Sequence, residues 1–386
     1  MNHNNYIHWP LWPQYGDEEY TAVARVIRSN QIYADAEVRK FEHQYAEYLK
    51  CSYALGLGNA TQGLHLALAA LDIGIGDEVI VTPYSWISSA SCILMQNAVP
   101  VFCDIERESF GIDPQGIEDK ITNRTKAIIV VHMFGYPAKM AEISAIADKY
   151  GIPIIEDASH AHGAKIGDVA VGNFGALSVF SLHQRKALSV GDGGIVCTNQ
   201  ERIYNKIKKL RSFGDDDLSY NYRMTEFAGA LGQVGLSKLD QHNKVRQQNA
   251  KLLAELLKDR KDIKVLIGND SDNVVYYAIL ILVVGNFSDL DARVSQLQNL
   301  GIPIRKTWAP LHVHPHFNPL EIPARGLPWQ HSEYDGQMKG RIYSELDLPI
   351  ANEYCPNKLL ELYINPPTGA NEIAFAAKNI GLILNL

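Results

Sequence analysis

A lysine beside a glycine-rich turn is the first feature of this sequence that can take part in covalent chemistry. Lys186 ends the hexapeptide Ser181–Lys186 (SLHQRK), which follows an apolar run, and the tetrapeptide Gly191–Gly194 (GDGG) comes shortly after it. An amine held at the end of a buried strand can form a Schiff base with the aldehyde of a cofactor. Taken alone, the segment fits a surface lysine beside a loop better, so Lys186 becomes a candidate only together with other residues.

Two carboxylates close another apolar run. Glu156 and Asp157 end the segment Ile154–Asp157, and His160 follows them. Ligands of open α/β sheets collect at the carboxyl ends of the strands. An acid placed there can keep the pyridine nitrogen of pyridoxal phosphate (PLP) protonated, and Asp157 is the natural candidate. Capping of the following helix is an equally good account of Asp157 until Lys186 is added to the set.

Three further segments contain candidates for cofactor contacts. The segment Gly58–Gly63 (GNATQG) opens a predicted helix whose N–H groups can bind phosphate beside the hydroxyl of Thr61; a simple helix cap is the alternative. It matches neither GxGxxG nor a Walker A loop, so nucleotide binding has no support. Trp86 follows a predicted strand and can stack on a flat ring, although a core tryptophan is the commoner case. The residues Tyr220–Met224 (YNYRM) precede a long helix and either serve the site or cap that helix.

Short apolar runs alternate with helical patterns between residues 52 and 199. The runs are rich in β-branched residues and too short for helices, which predicts buried strands. Helical periodicity lies between them, beginning with an i, i+3, i+4, i+7 pattern from Leu64 to Leu71. This alternation predicts an α/β fold with a largely parallel sheet. The predicted strands are Val79–Val81, Val101–Phe102, Ala127–Val131, Pro153–Ile155, Ala176–Phe180 and Ile195–Cys197.

The length of 386 residues indicates two domains. After about residue 259 the pattern changes to a strand at Val274–Val284, a helix at Leu290–Leu300 and a loop rich in proline and histidine at Pro303–Trp329. We therefore expect a large domain at residues 1–255 and a smaller one at residues 256–386.

Composition and charge argue against several classes of protein. Hydrophobic residues make up 46% and charged residues 20%, as in ordinary globular proteins. The net charge of −7 provides no basic surface for nucleic acid and no attraction to an anionic membrane. The start of the chain lacks the regions of a signal peptide, and its strongest apolar run is too short to span a bilayer. Five scattered cysteines without CxxC spacing argue against a disulfide framework and favour the reducing cytoplasm.

The segment His312–His316 (HVHPH) suggests a metal site, since its three imidazoles recur at every second position. No cysteine or acidic residue lies close to it in sequence. We favour a polar loop near a substrate entrance and expect no metal.

Taken together, these segments resemble the DegT/DnrJ/EryC1/StrS family of sugar aminotransferases. The resemblance runs in order from about Trp12 to Leu239, with a looser match beyond. Its most diagnostic pieces are Ser181–Lys186 with its GDGG sequel, Glu156–His160 and Asn221–Met224, and Gly74–Val81 and Val101–Ile105 fit the same template. It implies the fold-type-I architecture of aspartate aminotransferase, with a mainly parallel seven-stranded sheet in the large domain and a smaller C-terminal α+β domain. It also implies a homodimer whose active sites lie at the subunit interface.

The resemblance assigns roles around the PLP ring. By position, Lys186 is the Schiff-base lysine and proton shuttle, and Asp157 pairs with the pyridine nitrogen. Trp86 stacks on the ring, and His160 lies near its phenolic oxygen. Some relatives carry histidine in place of the lysine and act as sugar dehydratases, so the presence of Lys186 argues for transamination.

The phosphate contacts are implied in the same way. Ala60, Thr61 and Ser181 are expected to bind the cofactor phosphate, and Asn221 is expected to reach it from the partner subunit. Ala60 stands where the family usually has glycine, but its N–H group remains.

Other departures from the family pattern lie close to these positions. Asp35 replaces a glycine after the N-terminal helix, and Asp192 replaces a glutamate ahead of the glycine pair. Gln184 and Arg185 fill the hexapeptide in an unusual way. Arg185 either favours a phosphorylated or carboxylated substrate or belongs to a structural ion pair.

The implied reaction moves an amino group from L-glutamate or L-glutamine to a keto-sugar, a cyclitol ketone or a related polyol ketone, including phosphorylated and nucleotide-linked ones. The segment Trp9–Tyr15 (WPLWPQY) resembles the branch that acts on cyclitol ketones and the aminohydroxybenzoate precursor. A PLP-dependent dehydratase or eliminase on the same scaffold is one alternative, and loss of water in place of an amine product would identify it. A non-catalytic regulatory relative is the other alternative, and a shift of the cofactor's visible absorbance on addition of glutamate would argue against it.

Overall fold

Helices and strands alternate along most of the chain. The computed structural model describes residues 6–33, 35–213, 218–269, 272–285, 287–317 and 327–385. The helices are α1 (Asp17–Ser29), α2 (Ala36–Leu49), α3 (Ala60–Ala70), α4 (Ser88–Met95), α5 (Pro114–Ile117), α6 (Met140–Tyr150), α7 (Glu201–Arg211), α8 (Glu226–Leu257), α9 (Leu290–Asn299), α10 (Pro349–Tyr354) and α11 (Ala370–Ile383). The strands are β1 (Tyr53–Leu57), β2 (Glu78–Val81), β3 (Val99–Phe102), β4 (Thr125–Val131), β5 (Ile154–Asp157), β6 (Lys165–Ile166), β7 (Val169–Ala170), β8 (Leu177–Ser181), β9 (Gly194–Thr198), β10 (Ile263–Val265), β11 (Asp272–Asn273), β12 (Ile279–Val283), β13 (Ile304–Lys306) and β14 (Leu359–Leu362).

The central sheet has seven strands in the order β1-β9-β8-β5-β4-β2-β3. Neighbours from β8 to β3 pair in parallel, whereas β9 is antiparallel to both β1 and β8. This confirms the predicted α/β fold with a mainly parallel seven-stranded sheet. Because parallel strands end at the same edge, the residues that follow β2, β5 and β8 are brought together there.

All six strands predicted from apolar runs are present in this sheet. Every residue of β2, β3, β5, β8 and β9 is buried. A parallel sheet covered by helices on both faces loses the alternation of polar and apolar residues, which explains the continuous apolar runs. The helix predicted near Leu64 is α3, which packs against β8 and β9. Within the described ranges, no helix combines the length and apolar character needed to cross a membrane.

A second sheet follows α8 and is antiparallel, with the strand order β10-β12-β14-β13. Helix α8 links the two sheets, because it packs against α1 and α2 and also contacts β10 and α11. The expected boundary between residues 255 and 256 falls in the last turn of α8. The division into domains at 1–255 and 256–386 stays a prediction.

The single strand predicted at Val274–Val284 is wrong in its first half, because β12 begins at Ile279. The residues before it bond to another part of the chain, and the N–H group of Tyr277 donates to the carbonyl of Phe134 at 2.9 Å. Tyr276 has a positive φ of 48°, which no extended strand allows. The residues on both sides of this turn, from Val274 to Ile281, are all buried and apolar, so their pattern does not reveal the turn.

The loop predicted at Pro303–Trp329 also needs correction. It contains the short strand β13, which pairs with β14 from Ile304 to Lys306. Residues 318–326 of this segment lie outside the described residues.

Candidate active site

A cavity of about 600 Å³ lies at the carboxyl edge of the central sheet. Its volume is typical of sites for small molecules and cofactors. Seven of the residues predicted from sequence line it, although they come from distant parts of the chain. They are Ala60, Thr61, Trp86, Asp157, His160, Ser181 and Lys186.

Lys186 is held by the loop that follows β8. Its N–H group donates to the carbonyl of His183 at 2.8 Å, and its own carbonyl accepts from the indole of Trp12 at 2.9 Å. The Nζ atom lies 4.7 Å from the centre of the Tyr277 ring. Burial lowers the pKa of Lys186 to about 8, although the carboxylate of Asp157 partly opposes this effect. The amine is therefore partly neutral near physiological pH and can act as a nucleophile or base.

The glycine-rich turn fixes this loop from the other side. The N–H group of Leu182 donates to Gly193, and that of Gln184 donates to Gly191. Gly191 has a positive φ of 96°, which favours glycine. A Cβ atom on Gly194 would lie 2.5 Å from the backbone of Asn59. Glycine at this position therefore allows β9 to lie directly against the start of α3.

The two carboxylates of β5 point to opposite faces of the sheet, as the period of a strand requires. Asp157 faces the cavity, where its Oδ2 atom accepts a hydrogen bond from Ser89 at 2.6 Å. Its Oδ1 atom also accepts from the N–H group of Ser159 at 3.2 Å. No helix follows, because residues 158–164 form turns that lead to β6, so the helix-capping alternative is wrong. Glu156 is fully buried and bonds to His132, and it accepts from the N–H groups of Gly172, Phe174 and Gly175. Glu156 is structural, and Asp157 is the acid of the cavity.

His160 is a buried neutral imidazole in the wall of the cavity. Its Nδ1 atom accepts a hydrogen bond from the N–H group of Phe134 at 3.2 Å, which leaves the proton on Nε2. Its ring stacks on that of Tyr277 at 4.1 Å with an interplanar angle of 2°. Burial, reinforced by the charge of Lys186, lowers the pKa of His160 well below its ordinary value. His160 can therefore donate a hydrogen bond without carrying a charge.

The start of α3 forms the polar end of the cavity. Asn59 caps the helix by accepting from the N–H group of Gln62 at 2.9 Å. The hydroxyl of Thr61 lies 2.7 Å from that of Ser88. Ser181 lines the same cavity, is buried and accepts from the N–H group of His183 at 3.3 Å. N–H groups and hydroxyls gathered at a helix start are suited to bind a phosphate.

Trp86 is not a core residue, because 57% of its surface is exposed. Its ring meets that of Trp308 edge to face, with centres 5.7 Å apart. Trp308 in turn stacks on Phe134 at 5.5 Å. The exposed face of Trp86 is therefore available to a flat ligand in the cavity.

Among the lining residues that the sequence analysis did not single out, three lie beyond α8. Tyr277, Arg305 and Trp308 come from the segments after α8 that contribute to the second sheet. The Nε atom of Arg305 donates to Glu361, and its Nη2 atom donates to Tyr363 at 2.6 Å. Their neighbours in sequence form no motif, so only their position in space could have revealed them.

Two other sequence candidates lie outside the lining. Asn221 is exposed, and its Oδ1 atom accepts from Arg223 at 3.0 Å. Its expected role from the partner subunit stays a prediction. His312 is buried against Phe102, whereas His314 and His316 are joined by a contact of 3.0 Å between their Nδ1 atoms. Among the described residues, no group of three or more side chains is arranged to hold a metal ion.

The donor set fits PLP. The start of α3 suits its phosphate, Asp157 suits a cationic ring nitrogen, and the amine of Lys186 suits its aldehyde. A mainly parallel seven-stranded sheet with this lysine and this carboxylate at its edge defines the fold-type-I class of PLP-dependent enzymes.

Comparison with known proteins agrees with this class. The model of the DegT/DnrJ/EryC1/StrS aminotransferase family matches residues 13–347, and the chain belongs to that family. It is 32% identical over 354 residues to the L-glutamine:2-deoxy-scyllo-inosose aminotransferase of Streptomyces kanamyceticus, covering 84% of this chain and 83% of the relative.

Two solved structures are also similar. The aminotransferase from Psychrobacter cryohalolentis superposes with a TM-score of 0.87 at 28% identity, covering 97% of this chain and 98% of that one. The 3-amino-5-hydroxybenzoic acid synthase superposes with a TM-score of 0.87 at 26% identity, covering 98% and 99%. The chain is therefore a PLP-dependent aminotransferase, as the sequence indicated.

Proposed function

We propose that this aminotransferase moves an amino group from L-glutamine or L-glutamate to the ketone of a cyclitol or a keto-sugar. The observation that carries the proposal is the placement of the Lys186 amine and the Asp157 carboxylate in one cavity, with a helix start at its polar end. A cavity of about 600 Å³ is large enough for PLP together with a small ring-shaped substrate.

In this proposal, one group of lining residues binds the phosphate of the cofactor and another group contacts its ring. Ala60, Thr61 and Ser181 hold the phosphate, joined by Asn221 of a second copy of the chain. The other contacts surround the ring and are made by Trp86, Asp157, His160 and Lys186. The N–H group of Ala60 belongs to the first turn of α3, where backbone donors have no partner within the helix.

When bound, PLP supplies an electron sink for the carbon that carries the amino group. The carboxylate of Asp157 would accept a hydrogen bond from the ring nitrogen of PLP and so keep that nitrogen protonated. With PLP bound, Lys186 would hold the transferred proton at Nζ, and burial already lowers the pKa of this amine to about 8 in the protein alone, which lets it act as a base. Tyr277 and Trp308 line the cavity, and the ring of Tyr277 lies against the amine of Lys186.

The choice of substrates is supported by the relatives. The Streptomyces kanamyceticus protein is named for L-glutamine and for 2-deoxy-scyllo-inosose, a cyclitol ketone. The similarity to 3-amino-5-hydroxybenzoic acid synthase agrees with the segment Trp9–Tyr15, which suggested the same branch. We also propose a homodimer with shared sites. We further propose a cytoplasmic location, which the five scattered cysteines without CxxC spacing favour.

Borohydride reduction tests the central contact. Reduction of the cofactor-loaded protein followed by peptide mapping should leave a pyridoxyl group on Lys186, and the Lys186→Ala variant should carry none. A tag on another lysine would contradict the proposal.

The two half-reactions test the activity. Addition of L-glutamine or L-glutamate should convert the visible absorbance of the aldehyde form to that of the aminated form. A ketone such as 2-deoxy-scyllo-inosose should then restore the aldehyde form and yield an amine. Loss of water from the ketone without amine formation would instead indicate a dehydratase, and no response to either amino acid would indicate a regulatory relative.

A further inference from the structure

Arg185 is an exposed arginine in the wall of the cavity, directly beside Lys186. No side chain in the described part of the structure forms an ion pair with it. The structural ion pair, which was the alternative to a substrate contact, is therefore not found among the described residues of this chain. The charge of Arg185 acts on the carboxylate of Glu361 only at longer range, without an ion pair among the described residues.

The other arginine in the wall of the cavity, Arg305, differs from Arg185 because it forms an ion pair. Arg305 forms an ion pair with Glu361, a fully buried carboxylate, and a hydrogen bond with Tyr363. These bonds use its Nε and Nη2 atoms, and its charge is balanced. Arg305 is therefore a fixed part of the wall, whereas Arg185 keeps all its donors for a ligand.

The backbone of Arg185 is nevertheless well fixed. Its N–H group donates to the Nδ1 atom of His183 at 3.3 Å, and the N–H groups of the residues before and after it donate to Gly191 and His183. A long side chain that starts from a rigid loop loses less entropy when it binds than one on a mobile loop.

The charges of the wall leave Arg185 free to bind an anion. Besides two histidines, the wall contains three cationic side chains, Arg185, Lys186 and Arg305, and two carboxylates, Asp157 and Asp192. In the proposed function Asp157 faces the ring nitrogen and Lys186 reacts with the cofactor. Asp192 is exposed in the same wall and forms no ion pair with Arg185 among the described contacts. An arginine fork binds carboxylates and phosphates through two parallel hydrogen bonds.

We propose that Arg185 is a specificity-determining residue that binds an anionic oxygen group, a carboxylate or a phosphate, of a substrate entering the cavity. The inference rests on the proposed function and deepens it. Two substrates can supply such a group. The first is the amino donor through its α-carboxylate, and the second is a ketone that carries a phosphate.

Single-turnover kinetics on the cofactor-loaded enzyme test this inference. We would compare wild type with Arg185→Gln, which removes the charge, and with Arg185→Lys, which keeps the charge but loses the fork. Arg202→Gln is the matched control, because Arg202 is exposed on α7 away from the cavity. The donor arm uses L-glutamine and L-glutamate. The ketone arm uses the aminated enzyme with uncharged 2-deoxy-scyllo-inosose and with a phosphorylated cyclitol ketone.

The expected result is a rise of about tenfold or more in the half-saturating concentration of the anionic substrate for Arg185→Gln. The limiting rate should change little, Arg185→Lys should restore part of the affinity, and Arg202→Gln should match wild type. An effect in the donor arm assigns the donor carboxylate, and an effect confined to the phosphorylated ketone assigns the acceptor.

Unchanged half-saturation for every anionic substrate would overturn the inference. An equal loss for charged and uncharged ketones, without a donor effect, would also overturn it, because that indicates a distorted loop. Cofactor absorbance and thermal unfolding establish that each variant is folded. If wild type itself shows neither half-reaction, the proposed function fails, whatever the variants do.

Discussion

At the scale of single residues, the amine of Lys186 is tuned by two opposing effects. Burial disfavours its charged form, and the carboxylate of Asp157 favours it. The balance lowers the pKa to about 8, so deprotonation occurs as the pH rises through a range where an ordinary lysine, with a pKa of about 10.4, is still charged.

We predict that acylation of Lys186 in the cofactor-free protein rises with pH around a midpoint near 8. Asp157→Asn should move this midpoint lower still, because it removes a negative charge that stabilises the ammonium. Peptide mapping after labelling at a series of pH values measures the midpoint. Lys149 is an internal control, since its exposed ion pair with Glu118 raises its pKa. A midpoint for Lys186 equal to or above that of Lys149 would show the prediction to be wrong.

At the scale of elements, the N-terminal segment connects two distant parts of the molecule. The N–H group of Ile7 donates to the carbonyl of Leu300 at 2.9 Å, next to β13. Further along, the indole of Trp12 bonds to the carbonyl of Lys186, and its ring lies 4.9 Å from the guanidinium of Arg246. Arg246 is fully buried without a carboxylate partner in the described structure, so this aromatic contact helps to hold it.

We predict that Trp12→Phe lowers the limiting rate of the donor half-reaction and leaves the half-saturating concentration of the donor nearly unchanged. Phenylalanine still places an aromatic ring against Arg246 but cannot donate a hydrogen bond to the Lys186 carbonyl. The loop that contains Lys186 therefore loses one of the hydrogen bonds that hold it. Loss of this bond should also lower the free energy of unfolding by about 1 kcal/mol.

Trp9→Phe is the control for this variant, because no hydrogen bond of the Trp9 indole occurs among the described residues. Stopped-flow spectroscopy gives the rate, and urea unfolding gives the stability. If both variants lose the same rate, the bond to Lys186 has no special role.

The sequence was most informative where function depends on neighbours in the chain. Asp157 and Lys186 follow strands, and the start of α3 opens a helix. Because ligand-binding residues collect at the carboxyl edge of parallel strands, the sequence alone predicted that these residues lie close together. Tyr277 and Trp308 reach the cavity through packing against Phe134 and Trp86. Such contacts depend on the position of the second sheet, which no local pattern specifies.

At the scale of the whole molecule, one chain supplies an incomplete set of the expected phosphate contacts. Asn221 is exposed and does not line the cavity of its own chain. This agrees with the proposal that it serves a second copy, and in that case a dimer contains two sites that each combine residues from both chains.

We predict that mixing the Lys186→Ala and Asn221→Ala proteins restores activity that neither has alone at limiting PLP. In a hybrid dimer, one site combines both substitutions and the other is intact, provided that Asn221 acts across the interface. Subunits would be exchanged in mild denaturant, and each protein taken through the same treatment alone is the control. Activity no higher than in the unmixed samples would place Asn221 outside the partner's site.

The edge-to-face pair of Trp86 and Trp308 gives the enzyme a built-in optical signal. Both indoles border the cavity, whereas Trp329 is buried elsewhere against Tyr343. A chromophore that enters the cavity lies within reach of both rings and should quench their emission by energy transfer. Occupancy can therefore be followed by intrinsic fluorescence, without a label and without turnover.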